Sequence, residues 1–336
     1  MPRALVTGAT GFVGSNLVAY LRHLGWEVNC LVRDTARAVS FEQLGATLYL
    51  GHLNDRESIQ HAIAETDCVF HVAGRVRALN SKQFETDNVL GTRHVMQAAA
   101  AQTNTPVVVY VSSLAAGGPS HRGVPRQESD DDEPISDYGR SKRSAESIAA
   151  TFAGEVPLSI VRPPIIFGEA DRASLAIFRG VRLLRMHAVP GFRKFPVSIV
   201  HVSDLCEAMV RIAKDGERVA QGNKAKPGEG IYYVAAERTI PYGELGKLAA
   251  QALGHGAIAL PVPLAVFWIL GGAMEVFGQL RRRPAFINID KIREAVAPGW
   301  VCSDQKLRQS LGYEPAASLE ERFSATVAWY REHGWL

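Results

Sequence analysis

The chain has 336 residues, 47% of them hydrophobic and 21% charged, enough for one large or two modest domains with buried cores and too apolar for disorder. Its formal net charge of +3 is small and dispersed, which excludes the basic surface of a nucleic-acid binder. The cysteines Cys30, Cys68, Cys206 and Cys302 form no CxxC pair, so neither a metal site nor a disulfide framework is expected; with no leader before the first strand, the expected compartment is the cytoplasm.

In chain order, apolar β-rich runs at 3–7, 27–32, 46–50, 67–72, 106–112 and 157–163 alternate with amphipathic stretches at 12–24, 55–65, 81–102 and 136–154. Such alternation predicts βαβ units and an α/β fold, a doubly wound parallel sheet of Rossmann type. Gly8, Gly11 and Gly14 in "TGATGFVG" join the first strand to the first helix. A tight turn there needs positive φ, a pyrophosphate needs close backbone approach, and the helix start offers N–H groups to phosphate. This placement predicts a dinucleotide site.

Further along, "YGRSK" places Tyr138 and Lys142 four apart on a predicted helix, hence on one face. A free phenol titrates near pH 10, roughly, and is a poor base at neutral pH. A neighbouring ammonium is expected to lower that value and make Tyr138 an acid/base. The acidic run "ESDDDE" at 128–133 reads as a solvated loop, His71 as a satisfied strand-end residue, and Asp204 as a structural helix-start acid.

After residue 168 helical pieces dominate, at 174–186, 203–214, 242–253, 263–280 and 318–333, with extended pieces at 197–200 and 230–234 and loops at 187–196 and 214–230. The expected division is a nucleotide-binding domain, 1–168, helped by about 197–214, and a smaller substrate lobe, 169–336, with the ligand cleft between them. The segment 261–280 is nearly all apolar and is followed by Arg281, Arg282 and Arg283. A buried or substrate-lining helix is the first expectation for it. A helix lying on an anionic membrane surface, through 261–283, is the second, and a span the third.

The pieces "TGATGFVG", "HVAG" (71–74), "NVLGT" (88–92), "VSS" (111–113), "YGRSK" (138–142), "VRPPIIFG" (161–168) and "VHVSDL" (200–205) occur in that order. The chain resembles the extended short-chain dehydrogenase/reductase superfamily, the NAD-dependent epimerase/dehydratase-like proteins. The resemblance implies a catalytic Ser113, with Ser112 as the alternative, together with Tyr138 and Lys142. It implies cofactor contacts from Gly8, Thr10, Gly11, Phe12, Val13 and Gly14, from Val72, Ala73 and Gly74, and from Pro163 and Ile166 beside the nicotinamide. Lys142 would also bond the nicotinamide ribose, and Asn88 would bridge backbone near the site. In NAD binders of this type the second strand ends in an acid that holds the ribose. Here Val32 stands at that place, Arg33 follows, and Asp34 comes one position late. Arg33 therefore points to NADP(H), with NAD(H) as the alternative. His52 replaces the usual acid near the adenine, beside which Leu53 would pack.

Leu114 and Ala115 stand where related dehydratases carry an acid pair, which argues against dehydration. The ending "LGYEP…SLEE" after the apolar segment is similar to the 3β-hydroxysteroid dehydrogenase and sterol 3-dehydrogenase branch. The resemblance thus implies hydride transfer between nicotinamide and a lipophilic secondary alcohol or ketone of sterol type. The alternatives are a nucleotide-sugar epimerase, for which Arg172, Arg179, Arg182 and Arg185 would hold the diphosphate, a dihydroflavonol-reductase-like enzyme, and an NADPH-sensing regulator. A small lipophilic substrate and a second copy of the chain, paired through 81–102 and 136–154, are the partners it implies, and a site peripheral to the inner face of the membrane is the location.

Overall fold

The structure, a computed structural model, describes residues 1–121, 124–222, 226–285 and 288–336; positions 223–225 of the 214–230 loop lie outside the described residues. Six strands fall where the apolar runs predict them: β1 (Arg3–Thr7), β2 (Glu27–Val32), β3 (Thr47–Leu50), β4 (Cys68–His71), β5 (Val107–Val111) and β6 (Leu158–Arg162). Ile231–Tyr233 is the seventh strand, β7, and the order is β7-β6-β5-β4-β1-β2-β3 with every pairing parallel. The order reverses between β1 and β4, so a crevice opens at their carboxyl ends, where α/β sheets hold ligands.

Both faces of the sheet are covered, which explains its continuous β-branched strands. On one face lie α1 (Phe12–His23), burying Gly14, Leu17, Val18 and Leu21 at helical spacing, and α3 (Val202–Asp215) with Leu205, Met209 and Ile212. On the other, Ile59, Val95 and Ala99 pack with Ala145 and Ala149 of α2 (Asp137–Ala150). A separate cluster around Phe178, Leu245, Phe323 and Tyr330 forms the core of the carboxyl-terminal lobe.

The structure departs from the sequence reading in four places. The piece at 197–200 does not join the main sheet: Ile199–His201 pairs with Ile165–Phe167. The helix expected to run to 186 ends at Leu184, because Arg185 turns left-handed (φ 55°), and Met186–Pro190 pairs in parallel with Ile258–Val262. The acidic run is a loop exposed at Ser129, Asp130, Asp131 and Glu133, but two of its acids turn inward. Glu128 is buried and accepts a bond from the Tyr233 amide at 3.1 Å, while Asp132 takes both arms of the buried Arg162 at 2.7 and 3.0 Å. Burial disfavours the Arg162 charge, but Glu146 and Asp132 outweigh it and keep the guanidinium ionised.

The fourth departure is the apolar segment. It forms α4 (Leu264–Leu280), but only Gly271 and Gly278 of this helix are buried, so it is not a buried helix. Among the described residues no helix is long and apolar enough to cross a membrane. One stripe of α4 packs on α5 (Ile289–Ala295): Gly271 lies against Ile292, and Glu275 accepts the Ile289 amide at 3.0 Å. The last helix, α6 (Leu319–Glu332), anchors Asp204 of α3 through Arg322, whose Nε lies 3.0 Å from the carboxylate, so Asp204 is structural as expected.

Candidate active site

After Thr7 the chain turns at Gly8 with φ +74°, and a Cβ there would come within 2.8 Å of the Ala73 backbone beyond β4. A Cβ on Gly14 would lie 2.1 Å from the Gly8 carbonyl oxygen. Both positions thus require glycine. The first turn of α1 has neither a side-chain cap from Gly11 nor an acidic residue, so its N–H groups and positive dipole end face the crevice unneutralised. Bare amides over a cradle that a single Cβ would fill fit the pyrophosphate of a dinucleotide. Phe12, Val13, Val72 and Ile166 are partly buried against the core on this side, and Thr10 is partly exposed beside them.

The floor of the crevice is a chain of buried hydroxyls and one imidazole. His71 contacts Thr7 Oγ1 through Nδ1 at 2.7 Å and Thr92 Oγ1 through Nε2 at 3.0 Å, and the Ala73 amide donates to Thr7 Oγ1 at 3.2 Å. Burial, helped by the Lys142 charge, pushes the His71 pKa down to about 3. It is a neutral, fully satisfied strand-end residue. Asn88 accepts the Arg75 amide at 2.6 Å and donates to the Arg75 carbonyl at 3.1 Å and to Ser141 at 2.8 Å, pinning the loop after "HVAG" to the Tyr138 helix.

Tyr138 and Lys142 occupy the first turns of α2, whose cap is Ser136, accepting the Gly139 amide at 2.9 Å. Lys142 is buried, donates from Nζ to the Val111 carbonyl at 2.7 Å and lies 4.4 Å from the Tyr110 ring centre. A Cβ on Gly74 would sit 3.5 Å from its nitrogen. Burial lowers the Lys142 pKa to about 7, with Glu146 opposing. Burial raises the Tyr138 phenol to about 12, against a hydrogen bond with Ser113 and with a smaller push from Glu294. The expected lowering of the phenol by the ammonium is therefore not found: the Lys142 nitrogen is engaged by strand β5, and desolvation dominates at Tyr138.

Ser113 caps the short helix Leu114–Gly117 through the Ala115 amide, and Leu114 donates to the Pro163 carbonyl at 2.9 Å, which joins the serine loop to the loop after β6. Ser113 is the serine bonded to Tyr138. Ser112 is buried with no partner for its hydroxyl among the described residues. Arg33 is exposed just past β2, and the Asp34 carboxylate is occupied in accepting the Ala36 amide at 3.0 Å. His52 is exposed and accepts the Asn54 amide at 3.2 Å, while Leu53 packs under Gly91.

Sequence reasoning missed the contribution of α5. Asp290 accepts the amides of Asp137 and Tyr138 at 2.8 and 3.3 Å, Glu294 accepts the Ser136 hydroxyl at 2.6 Å, and Lys291 Nζ stands 5.0 Å from the Tyr138 ring centre. A carboxylate at the amino end of the Tyr138 helix complements its dipole. The only local signal was a capping asparagine, Asn288, before a charged short helix.

Residues 4–226 match the NAD dependent epimerase/dehydratase family. The chain belongs to this family. It is 27% identical over 334 residues to a ceramide reductase of Caulobacter vibrioides, covering 98% of this chain and 95% of that one. It is 31% identical over 236 residues to a 4-hydroxy-2-methyl-3-oxo-4-farnesyl-3,4-dihydroquinoline-1-oxide ketoreductase of Stigmatella aurantiaca, covering 69% and 67%. Among solved structures, gox2253 superposes with a TM-score of 0.79 at 25% identity, over 100% of both chains. The protein is an NAD-dependent oxidoreductase of the extended short-chain dehydrogenase/reductase type.

Proposed function

We propose that the protein reduces a lipophilic ketone to a secondary alcohol, using NADPH. The observation that carries this reading is the convergence of the glycine cradle with Ser113, Tyr138 and Lys142 in one crevice. The residues fit a dinucleotide: Gly8, Gly11 and Gly14 would take the phosphates, and Arg33 a 2′-phosphate. The reduced nicotinamide supplies the hydride. The protein's own work is with the proton. A phenol held up at about 12 is fully protonated at neutral pH, which suits donation from Tyr138 Oη to the ketone oxygen. Ser113 orients that oxygen, and Lys142, held by the Val111 carbonyl, would bond the nicotinamide ribose.

The lipophilic substrate class is supported by the ceramide and farnesyl substrates named for two relatives. A sterol-type ketone is the narrower form of the same reading. The test follows nicotinamide absorbance with NADPH or NADH and a panel of a long-chain ketone, a 3-ketosterol and a UDP-sugar. Oxidation of NADPH by a lipid ketone is expected. Turnover of the UDP-sugar alone would overturn the substrate class. Arg33→Ala is expected to weaken NADPH binding without affecting NADH, and equal losses for both would overturn the 2′-phosphate role.

A further inference from the structure

A 17-residue helix that is apolar on every face belongs in a core, yet α4 is covered on one stripe only. Gly271, Glu275 and Gly278 face α5 and the following turn. The remaining surface carries Trp268, Ile269, Val276, Phe277 and Leu280, with Ile269 71% and Leu280 78% exposed. At about 1.5 Å per residue the helix is about 26 Å long, short of a hydrocarbon core of roughly 30 Å. It can lie on a bilayer but not cross one.

The apolar surface continues beyond the helix. The strand Ile258–Val262 leads directly into α4 and pairs with Met186–Pro190, which brings exposed Ile258 beside Met186. Gly191 bonds back to Val262 at 2.8 Å and abuts Leu264, so the neighbouring Phe192, 77% exposed, extends the same face. Exposed cations stand at both ends of this surface. Arg281, Arg282 and Arg283 follow α4, with Arg281 4.1 Å above the Phe277 ring, and Arg193 and Lys194 follow Phe192.

We propose that this composite surface docks on an anionic lipid bilayer, with α4 lying in the headgroup boundary and the arginines on lipid phosphates. An apolar face combined with flanking cations is what such a surface recognises. A second copy of the chain fits less well, because pairing this face with itself would set the flanking cations of one copy against those of the other. The surface is also mechanically continuous with the catalytic site. α4 rests on α5, and α5 carries the Asp290 and Lys291 contacts to the amino end of the Tyr138 helix. Docking would thus place the crevice at the lipid boundary, where a lipophilic ketone is dissolved.

The experiment floats the full-length protein with vesicles of phosphatidylcholine, or of phosphatidylcholine containing phosphatidylglycerol. Binding to the anionic vesicles is expected, weakened by roughly tenfold or more in the triple variant Arg281→Gln, Arg282→Gln, Arg283→Gln. It is expected to be lost in Ile269→Glu with Phe277→Glu, whose exposed positions leave the fold intact by thermal melting. Absence of wild-type binding, or equal binding to neutral and anionic vesicles, would overturn the proposal. So would a wild-type dimer that the Glu variant makes monomeric without any vesicle binding. NADPH oxidation by a short, water-soluble ketone is expected to be unchanged in both variants, which separates failure of docking from failure of the enzymatic reading.

Discussion

Between Thr7 and Leu21 the chain is held by its near neighbours: the Gly11 amide bonds to Gly8, Ser15 to Gly11, and Gly14 is pressed onto the Gly8 carbonyl. The α4–α5 hairpin is held differently. Its contact with the Tyr138 helix joins Asp290 to Asp137, 153 positions apart, and most of its apolar surface faces outward. The cradle abuts Ala73, next to the Gly74 that lies beside the Lys142 nitrogen, whereas the hairpin borders Tyr138 through Asp290. The first is over-determined and can hold a cofactor rigidly. The second is fastened by a few polar contacts and one stripe of packing, as expected of an element that meets a partner or moves at low cost.

The comparison can be broken hardest at the cradle. Gly14→Ala puts a methyl 2.1 Å from backbone that has nowhere to go, and should abolish NADPH binding in a titration and lower the melting temperature. Next comes the buried network under the "acidic" loop. Glu146→Gln leaves Arg162 short of charge in the interior and should cost about 3–5 kcal/mol in urea unfolding.

A pH series sharpens the same contrast. Burial pushes His71 and His201 down to about 3 from an ordinary 6.5, so between those values the unfolded chain binds protons that the folded chain refuses. Their contribution to stability is complete above pH 6.5 and is lost as the pH falls toward 3. His201→Gln should flatten that slope by at most about 1.4 kcal/mol per pH unit. The smallest effect belongs to the hairpin. Asp290→Ala removes an anion from one helix start and should cost roughly 1 kcal/mol, with a shift in the pH profile of turnover that a merely structural loss would not produce.

What was legible in the sequence follows the same division. The six amino-terminal strands, the glycine turn and the spacing of Tyr138 and Lys142 are written in neighbouring residues, and local sterics decide them. The ribbon of Met186–Pro190 with Ile258–Val262 was not legible, because its partners are about seventy residues apart in a lobe with weak periodicity. Two residues of the otherwise exposed acidic run misled for a related reason: the partners of Asp132 and Glu128, Arg162 and the Tyr233 amide, arrive from distant strands. The phenol was misjudged because spacing places Lys142 on the face of Tyr138 but says nothing of the burial that dominates there, nor of the Val111 carbonyl to which Lys142 donates.

The central claim is that Tyr138 is the proton donor in a nicotinamide-dependent reduction, and one comparison reaches it directly. Steady-state oxidation of NADPH by a lipophilic ketone is measured for the wild type and for Tyr138→Phe, with NADPH affinity taken in parallel. The account predicts a turnover lowered roughly 10²–10⁴-fold in the variant, with affinity for NADPH retained. Full turnover by Tyr138→Phe would contradict it.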